Sequence, residues 1–269
     1  MLLNKFSLKN KNILITGAAG SLGLEHSIAL LNVGARVIMT DIDLVKLNKN
    51  KIELLKKNKN FQLVCLKMDV SSESSVKKIL KILKKKQFKL DVLINNACLN
   101  PKFDTKFKNN KTALEKFSLK NWEREIKVGL TGAFICSKIF GNYMKNNKKG
   151  GVIINIASEY SVVTPDHRIY SKNNFKPITY PVIKTGLIGL TKYLATYWAE
   201  NNIRVNCLSP GGVYNNQPEE FYKNYTEKTM LKKMSEPEDL VSAILYLVSD
   251  ASGMVTGINH LVDGGYTAW

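Results

Sequence analysis

Seven short, β-branched apolar runs alternate with helical patterns along the whole chain, and this alternation restricts the possible folds more than any other feature. The runs are Asn12–Thr16, Arg36–Thr40, Phe61–Met68, Leu90–Asn95, Gly151–Ala157, Ile203–Leu208 and Ile258–Val262. Helical spacing falls between them, near 21–33, 43–57, 73–86, 119–147, 180–201 and 236–249. Strands that are apolar throughout, separated by helices, belong to a parallel sheet covered on both faces. The last helix opens with Ser235-Glu236-Pro237-Glu238, which reads as an N-cap serine followed by a proline and acids.

The expectation is therefore a Rossmann-like α/β fold: one doubly wound parallel sheet with helices on both faces. No repeat or Pro/Ser-rich linker divides the 269 residues, so residues 1–269 read as one domain with a sizeable core. Two segments, 159–179 and 213–234, lack periodicity and follow strands at their carboxyl ends, where open α/β sheets bind ligands. They read as lids over a site.

Composition excludes several functions. No apolar run approaches the ~18 residues of a membrane span, and Met1–Phe6 is too short an apolar run for a secretory signal, so a cytoplasmic location is expected. Cys65, Cys98, Cys136 and Cys207 have no metal-ligand spacing and read as reduced core thiols; no metal is expected. His26 and His260 read as structural. The formal charge of +18 comes from 36 Lys and only 4 Arg, and the lysines are spread over helix faces such as Lys84-Lys85-Lys86. Nucleic-acid readout favours Arg forks, so the charge reads as a solvated surface rather than a nucleic-acid site.

The turn Thr16-Gly17-Ala18-Ala19-Gly20-Ser21-Leu22-Gly23 joins the first strand to the first helix. Glycines there let backbone approach a pyrophosphate, which then rests on the helix N-terminus. Gly17, Gly20, Ser21, Leu22 and Gly23 are the expected contacts. Asp41, 18 residues after Gly23, ends the second strand, where a carboxylate accepts from adenosine ribose hydroxyls. A 2′-phosphate would meet like charge, and positions 18, 19 and 42 carry no Arg or Lys. NAD is expected in preference to NADP.

Tyr180 and Lys184 stand four residues apart and so share one face at the start of a helix. A close ammonium favours the phenolate and should draw the tyrosine down from its ordinary ~10 toward the working range. Tyr180 would then exchange a proton with an alcohol or ketone oxygen while hydride moves. Ser158 follows an apolar strand and can bond that oxygen. In the second half of the 159–179 segment, His167, Arg168, Lys172 and Lys176 could hold a phosphate or carboxylate, or could form a solvated loop. Asn215 and its neighbouring amides suit sugar hydroxyls.

The glycine turn, Asp69-Val70, Asn95-Asn96-Ala97-Cys98, Ser158, Tyr180-x-x-x-Lys184 and Pro210-Gly211 together resemble the short-chain dehydrogenase/reductase family, from Asn12 to Gly265. The resemblance implies that Asp69 and Val70 border adenine, that Asn96 and Ala97 line the cofactor cleft, and that Lys184 holds the nicotinamide ribose. Pro210, Gly211 and Val213 would lie at the nicotinamide end. It also implies tetramers or dimers built through 119–147 and 180–201. The chain departs from the pattern at Gly20-Ser21, at Cys98, and at Gly129, where the family has a relay asparagine. The 22-residue gap from Ser158 to Tyr180 is longer than usual. The loops 160–170 and 209–218 are similar to the flagellin-modification oxidoreductases, which are linked to sialic-acid-like (legionaminic acid) sugars. That implies an anionic or phosphorylated precursor of a nonulosonic sugar as substrate. The alternatives are a small polyol, sugar acid or ketoacyl substrate, or an NAD-binding protein with little catalysis.

Overall fold

The computed structural model describes residues 2–99, 112–171 and 174–269. Its strands are β1 (Asn12–Thr16), β2 (Arg36–Asp41), β3 (Leu63–Lys67), β4 (Val92–Asn95), β5 (Gly151–Ile156), β6 (Ile203–Pro210) and β7 (Asn259–Val262). They form one sheet in the order β3-β2-β1-β4-β5-β6-β7, parallel at every pairing. Expected and observed strand ends differ where pairing decides them. The third run loses its first two residues because β2 pairs β3 only from Val37↔Leu63 to Asp41↔Lys67. The sixth gains two because β7 pairs it as far as Pro210↔Val262.

The helices are α1 (Ser21–Asn32), α2 (Leu44–Lys57), α3 (Glu73–Lys85), α4 (Leu119–Ile126), α5 (Gly132–Met144), α6 (Thr179–Tyr197), α7 (Glu219–Thr226) and α8 (Val241–Val248). Alternate strand residues feed two cores, as a period of two requires. Ile13, Ile15, Val92 and Ile94 pack with Leu30, Leu47 and Leu247 from α1, α2 and α8. Leu14, Leu93 and Ile153 pack with Ile79, Phe140 and Leu194 from α3, α5 and α6. The sheet is thus covered on both faces.

Three expectations need correction. The single helix over 119–147 is two, because a π turn at Lys127–Thr131 separates α4 from α5. Gly129 and Gly132 weaken the α ladder there, and the wide turn sets both flush against neighbours. A β-carbon would meet Ile183 Cγ2 at 2.8 Å from Gly129 and Val70 Cγ2 at 2.8 Å from Gly132. The helix after 236 begins as a 3-10 turn, Pro237–Leu240, whose cap is Glu236, not Ser235. Ser235 is drawn away by its backbone: its N–H donates to Gly212 O (2.9 Å) and its carbonyl accepts from Tyr214 N–H (2.8 Å). The 213–234 segment contains α7, started by Pro218 with Glu219 and Glu220 in the first turn, where acids suit the helix N-terminus.

Candidate functional site

The chain reverses direction across the sheet between β1 and β4, and ligands of open α/β sheets bind beyond the carboxyl ends at such a point. A cleft of about 1380 Å³ opens there. The glycine turn forms one wall. Gly17 adopts φ +65°, a conformation that glycine tolerates, and a β-carbon on it would lie 2.8 Å from Ala97 Cα. One on Gly23 would lie 2.3 Å from Gly17 O. Asn96 locks the turn from β4 by donating its amide to Thr16 O (3.0 Å) and Gly17 O (3.1 Å). The hydroxyl of Thr16 accepts from the N–H groups of Asn96 and Ala97 (both 3.0 Å). At the end of β2 the Asp41 carboxylate accepts from Ala19 N–H and Asp43 N–H (both 3.0 Å) and faces the cleft.

These features test the site against a dinucleotide. Gly17, Gly20, Ser21, Leu22 and Gly23 line the cleft beside the start of α1, Asp41 stands at one end, and Asp69, Val70, Asn96 and Ala97 lie between. Pro210, Gly211 and Val213 close the far end. A backbone held this close by glycines, with a carboxylate beyond it, fits a pyrophosphate flanked by an adenosine ribose.

The reacting groups expected from sequence converge on the same cleft. Ser158, extended at the end of β5, is buried and hydrogen-bonded to Tyr180. The Lys184 ammonium, also buried, donates to Ile156 O at 2.7 Å and sits 5.5 Å from the centre of the Tyr180 ring. A buried polar ladder ties α6, which carries both residues, to the sheet. Asn95 donates its amide to Ser137 Oγ (2.9 Å) and Asn155 Oδ1 (2.8 Å), and Asn155 donates to Thr191 Oγ1 (2.7 Å). The expected lowering of Tyr180 is reversed in this protein: burial raises it above the usual phenol value, against opposing pulls from Lys184 and the Ser158 hydrogen bond. A protonated phenol next to a hydroxyl can give its proton to a carbonyl oxygen.

The inserted loop does not hold its basic residues as expected. Arg168 lies outside the cleft, 86% exposed, with its fork on Asp166 (Nε to Oδ1 2.9 Å, Nη2 to Oδ2 2.8 Å). Asp166 also accepts Lys228, and the two cations hold its carboxyl well below the usual range. His167 packs edge-on to Phe175 at 5.2 Å and does not line the cleft. Lys172 lies outside the described residues. Lys176 does line the cleft, with its ammonium 3.9 Å from the Tyr180 ring centre. Asn215 lines it from the second lid.

Two features went unread in the sequence. Glu159, directly after Ser158, is buried; its carboxylate accepts from the Tyr225 hydroxyl of α7, which itself accepts from Gly212 N–H. Burial pushes Glu159 up to about 8. Tyr160, Tyr170, Phe221 and Tyr225 wall the cleft around Tyr180, with Tyr160 edge-on to it at 6.3 Å. An acid following an apolar strand and a serine was a usable signal. The aromatic wall was not, because it gathers residues from two lids some fifty residues apart in the chain.

Fold and cleft together define an oxidoreductase of the dinucleotide-binding α/β class. A family model described as enoyl-(acyl carrier protein) reductase matches residues 17–267. Similar curated proteins include the NAD-dependent glycerol dehydrogenase of Listeria innocua, 27% identical over 97% of this chain and 96% of the relative. Another is the NADH-dependent L-xylulose reductase of Ambrosiozyma monospora, 31% identical over 95% and 94%. A solved short chain dehydrogenase from Leptospira borgpetersenii with bound NAD+ is 34% identical, with a TM-score of 0.82, covering 98% of this chain and 95% of that one. The chain belongs to the short-chain dehydrogenase/reductase family.

Proposed function

We propose that this protein is an NAD-dependent enzyme that interconverts a hydroxyl and a ketone on a small polyol or sugar. The observation that carries the reading is the meeting of Ser158, Tyr180 and Lys184 at one end of a cleft whose other end is the glycine turn and Asp41. Relatives that act on glycerol and xylulose support the substrate class. They favour it over the anionic nonulosonic-sugar precursor; of that precursor's expected holders, His167 and Arg168 stand outside the cleft, while Lys176 lines it.

The glycine turn and the first N–H groups of α1 would hold the pyrophosphate, Asp41 the adenosine ribose, and Lys184 the second ribose. When bound, the nicotinamide accepts or supplies the hydride. Ser158 orients the substrate oxygen, and Tyr180 holds the proton that the oxygen gains or loses. The aromatic wall of Tyr160, Tyr170 and Phe221 offers apolar faces to the carbon side of a sugar and keeps water from the reacting atoms.

NAD is favoured over NADP because the Asp41 carboxylate would repel a 2′-phosphate. Nicotinamide absorbance with both cofactors over a panel of polyols and keto sugars tests this reading. Turnover with NAD(H) is expected, and Asp41→Ala should lower the NAD/NADP preference at least tenfold. Turnover confined to NADP(H) would overturn the Asp41 argument. The four unpaired thiols suit a reducing compartment such as the cytoplasm. Exposed Phe134, Tyr193 and Tyr197 on α5 and α6 suit a homo-oligomer, which sedimentation would detect.

A further inference from the structure

Ser158 and Glu159, side by side just past β5, face different partners. Ser158 bonds Tyr180, whereas the buried Glu159 carboxyl accepts from the Tyr225 hydroxyl of α7 at 2.5 Å. That hydroxyl in turn accepts from Gly212 N–H at 2.5 Å. One buried phenol therefore joins three parts of the site: the strand end that carries Ser158, the second lid, and the Gly211–Gly212 turn after β6. Tyr225 is also what seats α7, in which only Tyr225 and Thr226 are buried. Its ring stacks on Tyr266 at 5.0 Å and leaves no room for a side chain on Gly212, whose β-carbon would lie 2.6 Å from Tyr225 Cζ. Lys228, just beyond α7, pairs with Asp166 and ties the second lid to the first, but a partly exposed ion pair holds weakly. The reacting groups are fixed separately by β5 and α6, as Lys184 on Ile156 O shows. Loosening α7 would thus open the cleft without dismantling them.

We infer that Glu159 is a positioning residue that latches the substrate lid: through Tyr225 it holds α7 and the Gly211–Gly212 turn against the strand end that carries Ser158. This rests on the proposed function for what the lid encloses, whereas the latch itself does not depend on which substrate is bound. The latch should loosen as pH rises. Burial pushes Glu159 from the ordinary 4.5 up to about 8, so the closed lid prefers the protonated carboxyl. The groups that face it are the phenols of Tyr160, Tyr170, Tyr180, Tyr225 and Tyr266, the Asp263 carboxylate and the Lys176 ammonium. Burial raises all five phenols, which therefore stay neutral. Asp263 adds to the rise of Glu159 and Lys176 opposes it. An opened lid hydrates the carboxyl and returns it toward 4.5, so the support for closure is complete below that pH and is lost progressively up to about 8.

The test is hydrogen exchange of the full chain read by mass spectrometry, with wild type and Glu159→Gln compared at about pH 5.5, 6.5 and 7.5. At each pH the two proteins share intrinsic exchange rates, so their ratio in α7 peptides reads the lid alone. Wild-type exchange in α7 should gain on the glutamine variant more than twofold across this range, and by up to about tenfold per pH unit. Peptides from β5 should show no such gain. A gain of twofold or less in α7, or one shared by β5, overturns the latch. Activity gives a second reading on a substrate found in the polyol and keto-sugar panel. Tyr225→Phe keeps the ring and removes the hydroxyl, so KM should rise at least threefold and by a larger factor than kcat falls. Failure of either condition overturns the latch. If no alcohol or ketone is turned over, the proposed function fails, and exchange in α7 still decides the latch.

Discussion

At the scale of single residues, Tyr180 answers to opposed demands. Burial holds its proton on, while Lys184 and Ser158 favour its loss. Replacing Tyr180 with Phe keeps the ring packing against Tyr160 and removes only the hydroxyl. Loss of positioned proton transfer costs about 10²–10⁴ in kcat, and NAD affinity by nicotinamide fluorescence should stay within a few-fold. An equal loss of NAD binding would show a structural defect instead. Tyr180, Lys184 and Ser158 were legible in the sequence because four-residue spacing and a strand end fix their directions locally. Arg168 and Lys176 were not separable, since both lie in one aperiodic loop. Their difference is decided by Asp166 two residues from the arginine and by Tyr180 four residues from the lysine.

Among the elements, the passage from α4 to α5 shows most clearly what spacing cannot convey. The helical pattern over 119–147 is continuous, yet a π turn interrupts it at Lys127–Thr131, where Gly129 lies against Ile183 of α6. Gly129→Ala would gain helix propensity, but its β-carbon would press on Ile183 Cγ2 at 2.8 Å. We expect a net loss of roughly 1–3 kcal/mol, the usual range for overpacking, measured by urea denaturation. A stabilised variant would show that Ile183 yields easily. The same crowding bears on asparagine at this position: its larger side chain would have to displace Ile183, one residue before Lys184. The second lid contains a helix, α7, where the aperiodic sequence predicts a loop. Its Tyr225 is pinned to Glu159 and stacked on Tyr266 at 5.0 Å, contacts made across the molecule.

For the whole molecule, acid stability depends in part on His26, fully enclosed in α1 under the sheet. Burial lowers it from the ordinary 6.5 to about 4, so the folded state prefers the neutral ring. Its contribution is complete above pH 6.5 and is lost as pH falls toward 4, by about 3 kcal/mol. Urea titrations at pH 7 and pH 4.5 should show His26→Leu losing less stability on acidification than wild type. Identical losses would mean that the ring is solvated before unfolding. The sequence by itself determined the succession of strands and helices along the chain, the glycine turn with Asp41, and the Tyr180–Lys184 face. Each follows from periods of two and 3.6 residues or from backbone conformations available to glycine, and these act within a few residues. Only the tertiary structure decided that the chain crosses the sheet between β1 and β4, that Arg168 leaves the cleft, that Lys176 and Glu159 enter it, and that aromatic rings from two separate lids wall it. Those outcomes depend on which charged and apolar groups meet across long chain separations, where burial and partner choice outweigh local pattern.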